Sequence, residues 1–139
     1  MEMKLKRAAA LLFSAVSIGV VAYQVALAAG APWGAYAMGG EFPGTFPVTL
    51  RIAALAQAVL IAGMAAVVLS LAGLVGSAWS GVTRWLVWWV VALEAVSLVL
   101  NLITQSAGER AIWAPVALLL LASSTVVAFE GDSPLRPRG

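Results

Sequence analysis

Apolar residues run almost unbroken through four stretches of the chain, residues 8–29, 50–75, 85–104 and 112–129. A helix rises about 1.5 Å per residue, so about 20 residues cross a hydrocarbon layer of roughly 30 Å. Each stretch meets or approaches that length. None keeps the polar face that a soluble core helix turns toward water. A backbone in lipid must satisfy its own hydrogen bonds, which makes helices the expected form of all four. The strands of a membrane barrel would alternate polar and apolar residues over about ten positions, and no such alternation occurs. The pattern predicts an all-α, polytopic membrane protein, a four-transmembrane-helix bundle in which residues 1–129 form one domain.

The connections differ in kind. Residues 30–47 are punctuated by Gly30, Pro32, Gly34, Gly39, Gly40, Pro43, Gly44 and Pro47, all helix-breaking positions. Between them stand Trp33, Tyr36, Met38, Phe42 and Phe46. A loop this apolar is expected to pack back onto the outer end of the bundle, with its aromatics at headgroup level. Residues 76–81 read as a short turn, and 105–110 as a tight polar one. Residues 130–139 read as a disordered cytoplasmic tail. No internal repeat is present to suggest an inverted-repeat transporter within one chain.

Composition strengthens this reading. Hydrophobic residues make up 63% of the chain and charged residues 10%, against roughly 45–50% and about 25% in an average soluble domain. So few charges cannot clothe a soluble fold. Cysteine and histidine are both absent, which removes thiol chemistry, disulfides and the commonest nitrogen ligands for metals. No metal site and no cofactor is expected. The net charge of +2, without a basic stripe, points away from nucleic acid. Neither a phosphate-cradling Gly-Lys motif nor a Ser/His/Asp set occurs.

The cations set the expected orientation, because Lys and Arg accumulate on the cytoplasmic side. Lys4, Lys6, Arg7, Arg84, Arg136 and Arg138 fall on one side, and Arg51 and Arg110 on the other. Both termini are therefore expected inside a bacterial-type cytoplasmic (inner) membrane. The basic start followed by Ala26-Leu27-Ala28 also has the look of a secretory signal peptide. Its apolar stretch is longer than the usual 7–15 residues, so retention is expected; cleavage would leave three helices in the same orientation.

Two groups of residues carry a resemblance. One is Ala29-Gly30-Ala31-Pro32-Trp33-Gly34 with Met38-Gly39-Gly40, Phe42-Pro43-Gly44 and Phe46-Pro47. The other is Asn101 with Glu109-Arg110 and Trp113-Ala114-Pro115. Together they resemble a group of small four-helix integral membrane proteins of bacteria to which no activity is assigned. The resemblance implies topology and a bacterial origin, and no chemistry.

Glu94 is the most informative position. It lies about ten residues into the third helix, where an ionisable group costs several kcal/mol to insert unless it faces the bundle or a wet cavity. Ser97, Asn101 and Thr104 follow at offsets of three, seven and ten, which share one helix face. This polar stripe serves either as interhelical hydrogen-bonding glue, at ~0.6–2 kcal/mol per contact, or as a proton, ion or substrate site. Gln24 lies at an outer depth similar to that of Arg51, and Gln57 about one and a half turns below Arg51 on a different face. If these residues converge with Glu94, Ser97 and Asn101, they outline a polar pocket open outward. Arg51 otherwise snorkels to headgroups, or pairs with Glu41 or Glu109. Trp85, Trp88 and Trp89 read as an interfacial aromatic belt, with a base- or cofactor-stacking platform as the rival. Ala58, Ala62 and Ala66 mark a close-packing face of helix two.

Three functions compete. One is a binding or transport module for a lipid-like or small amphipathic ligand, gated by Glu94 protonation and built as a homo-oligomer. Another is an accessory or structural subunit of a larger membrane complex. The third is an intramembrane enzyme using Glu94 as acid/base with Asn101 as hydrogen-bond donor.

Overall fold

The computed structural model describes residues 2–76 and 80–132. Four helices, α1 (Glu2–Ala29), α2 (Val48–Leu71), α3 (Ser80–Ile103) and α4 (Ala107–Asp132), account for most of the chain. All four are long and apolar enough to cross a membrane, and the protein is accordingly read as a multi-pass membrane protein. Around the ring, α1 packs on α2 and α4, and α3 packs on α4, while α2 and α3 make the thinnest contact. The loop of residues 30–47 closes one end of the bundle, and the start of α1 and the end of α4 lie at the other.

The helix ends depart from the apolar runs for identifiable reasons. At α1, Gly30 adopts φ +107; its N–H reaches the Leu27 carbonyl at 3.2 Å, and Ala31 N–H reaches Ala26 at 2.9 Å. This pair of bonds is a Schellman stop. The same device ends α2 at Leu71 rather than at residue 75. Gly73 takes φ +72, its N–H bonds Ser70, and Leu74 N–H bonds Leu69. Apolar residues continue beyond the glycine, but the helix does not.

All four helices start before their apolar runs. α1 begins at Glu2, because Lys, Arg and Glu propagate a helix well beyond its apolar stretch, and α3 begins at Ser80. α4 begins five residues before its apolar run and continues through Asp132, so Glu130 to Asp132, read as tail from the sequence, are helical. The rest of the tail, residues 133–139, lies outside the described residues, as do 77–79 of the second connection.

The start of α4 is a capped turn. Ser106 Oγ accepts the Glu109 N–H at 3.1 Å, the N-cap half of an S-x-x-E capping box. Glu109 does not complete the box. Its carboxylate turns instead to the loop, where Gly39 N–H donates to it at 3.0 Å and Thr104 Oγ1 at 2.8 Å. Two further bonds fasten the loop to α4: Ser106 Oγ donates to Ala35 O at 2.9 Å and Trp113 Nε1 to Tyr36 O at 2.8 Å. Gly108 permits this approach, since a Cβ there would stand 2.7 Å from the Tyr36 ring. Beneath the other half of the loop, Ala37 and Phe46 bury against Leu27 and Ala54.

A second and larger core fills the termini half. Phe13 and Val20 of α1, Met64 and Val68 of α2, Val87 and Val90 of α3, and Leu120 and Val127 of α4 bury together there. On α2 the small residues turned inward are Ala54 and Ala58. Ala62 and Ala66, expected on the packing face, are exposed. Lipid and core are both apolar, so alanine spacing alone does not report which side is inside.

Candidate functional site

Between the loop-end plug and the termini-half core the bundle is not filled. A cavity of about 710 Å³ occupies the gap. Its roof is the loop segment Tyr36 to Gly39, and its floor is Val20, Met64 and Leu120. The side toward α2 and α3 is open. Leu60, Leu93, Val96, Leu100 and Ile103 line the cavity there and are themselves exposed on the bundle surface. That opening faces sideways, where a bilayer would lie.

Five of the six candidate residues meet on this cavity: Gln24, Gln57, Glu94, Ser97 and Asn101. Glu94 sits nine residues from the loop end of α3, about 14 Å deep by the rise per residue. It is 4% exposed, and none of the hydrogen bonds or ion pairs among the described residues involves it. A buried polar group is normally paired; here the cavity stands where the partner would be. Asn101 Nδ2 donates to Ser97 O at 2.8 Å and to Ser97 Oγ at 3.4 Å, so part of the stripe serves its own helix.

Gln24 and Gln57 join α1 to α2 across the cavity wall, Gln24 Nε2 donating to Gln57 Oε1 at 2.7 Å. The remaining Gln24 oxygen is buried without a partner. Helix rotation brings the two amides together, and the sequence contains no signal for that rotation.

Arg51 stands apart from the cavity. Its Nε donates to Ala28 O at 2.6 Å, one of the open carbonyls at the end of α1. A cation belongs at a helix C-terminus, where the carbonyl dipoles point outward. It reaches neither Glu41 nor Glu109, because the backbone of α1 is nearer and Glu109 is occupied by the loop.

Comparison of the chain with family models, curated proteins and solved structures gave no match. The site is therefore read from its own geometry.

Three residues important to the cavity were not assigned to it from the sequence, where Glu109 was read only as a candidate partner of Arg51. Glu109, 8% exposed, holds the roof. Tyr23 and Trp113 line the wall with ring centroids 4.6 Å apart, and Trp33 stacks on Tyr23 at 5.9 Å. The S-x-x-E spacing at Ser106 and Glu109 was a usable signal for the first. The aromatics lie about 90 residues apart in sequence, with nothing local to join them.

At the termini end, Trp85 and Trp89 are exposed and touch edge to face at 5.9 Å, while Trp88 meets Phe129 at 5.3 Å. No group of three or more metal-ligating side chains occurs among the described residues.

Proposed function

We propose that this protein is a binding or transport module that admits a lipid-like or small amphipathic molecule sideways from the membrane into the cavity beside Glu94. The cavity next to an unpartnered buried carboxyl is the observation that carries this reading. Its volume falls within the roughly 300–1,000 Å³ usual for small-molecule sites, and so does its make-up of apolar walls with a few convergent polar groups. The exposed Leu60, Leu93 and Val96 at the gap offer an acyl chain an apolar route in, and the polar stripe offers a headgroup somewhere to stop.

In this reading the loop end faces the exterior, and both termini lie in the cytoplasm of a bacterium. The support is the distribution of Lys and Arg along the sequence, six in the N-terminal segment, the second connection and the C-terminal tail against Arg51 and Arg110, since cations accumulate on the cytoplasmic side. A complete transport pathway through four helices would call for a homo-oligomer. The enzyme reading is weaker, because the Asn101 amide it would use as donor is already given to Ser97.

Native mass spectrometry of the protein released from lipid nanodiscs tests the proposal, with a cavity-filling variant, Ser97→Trp, as comparison. The wild-type chain is expected to retain a single amphiphile that Ser97→Trp loses. Equal adducts on both would place the lipid on the outer surface and remove the proposal.

A further inference from the structure

We infer that the cavity selects an amphiphile with a cationic, hydrogen-donating head, an alkylammonium group, and turns anions away. The inference deepens the binding reading above and rests on it. Its basis is an accounting of which polar groups on the cavity wall are already used.

Many of the donors on the wall are committed, though among the described residues the Gln57 amide and the Ser97 and Tyr36 hydroxyls are not. Tyr23 OH donates to Trp33 O at 3.2 Å and Gln24 Nε2 to Gln57. Thr104 Oγ1 and the Gly39 N–H both donate to Glu109. Trp113 Nε1 donates to Tyr36 O, and Asn101 to Ser97.

Two carboxyl or amide acceptors are also left unmet. The Glu94 carboxyl is without a protein partner, and the Gln24 oxygen is buried and unmet. A buried acceptor without a donor is costly, and the group that answers it best is a charged N–H.

Charge points the same way. Glu94 and Glu109 are the acidic side chains on the wall, with no Lys or Arg among the lining residues. Arg51 is held at Ala28. A carboxylate or phosphate head would therefore meet a wall that carries two carboxyls and no cation. The faces of Tyr23 and Trp113 add a surface that attracts cations and not anions.

Three probes with one chain length separate head from tail: octylammonium, octanol and octanoate. Each is titrated calorimetrically at neutral pH into the full chain in phosphocholine nanodiscs, with empty discs subtracted. Octylammonium is expected to bind saturably and at least about tenfold tighter than octanol, as a charge-assisted hydrogen bond implies, with octanoate weakest. Glu94→Gln should bring octylammonium down to the level of octanol, with an unchanged helical circular-dichroism spectrum showing that the variant is folded. If that variant does not fold, the ranking of the three probes on the wild-type chain decides. Equal binding of all three heads, a preference for octanoate, or an ammonium preference that survives Glu94→Gln overturns the inference while leaving the cavity reading intact. Absence of saturable binding by any probe overturns both.

Discussion

Glu109 at the start of α4 accepts the backbone N–H of Gly39, a residue 70 positions earlier, at 3.0 Å. This single carboxylate ties the roof of the cavity to the helix that forms its far wall. The loop needs such a tie, because its backbone is unusual at three consecutive positions: Met38, Gly39 and Gly40 take φ of 49, 80 and 72. Few side chains tolerate that region, so the segment holds its shape through its bonds to Glu109, Ser106 and Trp113.

Replacing the tie should loosen the roof. Glu109→Ala leaves the Gly39 N–H and the Thr104 hydroxyl without their acceptor, a loss of about 1–3 kcal/mol for groups that stay buried. The expected result is a lower melting temperature and faster hydrogen exchange at Gly39 and Gly40, with α2 and the termini half unaffected. Hydrogen-exchange mass spectrometry in nanodiscs reads both. Glu109→Gln keeps one acceptor oxygen and should fall between the two.

Arg51 makes a contrasting case. It was a candidate for the pocket on depth alone, yet its guanidinium serves the end of α1. Arg51→Leu should cost about 1 kcal/mol through the lost bond to Ala28 and the lost cation at a helix terminus. Amphiphile binding measured on the folded fraction should not change. A large loss of binding with unchanged stability would return Arg51 to the cavity.

The difference between what the sequence disclosed and what it withheld follows from the solvent. Length and apolarity announce a membrane helix directly, so four helices were legible. The face shared by Glu94, Ser97 and Asn101 was legible too, because a polar stripe on an apolar helix stands out at spacings of three and four. Which way that stripe turned was not legible. In water an apolar face reports the inside; here lipid and core ask for the same residues. Gln24 therefore met Gln57 through a rotation that neither helix encodes locally, and Ala62 faced outward where a packing face was expected. The ends of the helices were missed where an apolar run continued beyond a glycine, as at Gly73, or stopped short of helix-forming charges, as at Lys4 and Lys6.

Reactivity of Glu94 toward an apolar carbodiimide tests the account most directly. Such a reagent reaches a carboxyl from the lipid phase and leaves a covalent mass tag that peptide mass spectrometry can locate. The account predicts tagging at Glu94 in the membrane-embedded protein, slowed at least about tenfold when Ser97→Trp fills the cavity or octylammonium occupies it. An untagged Glu94, or tagging at an undiminished rate in both blocked states, would contradict it.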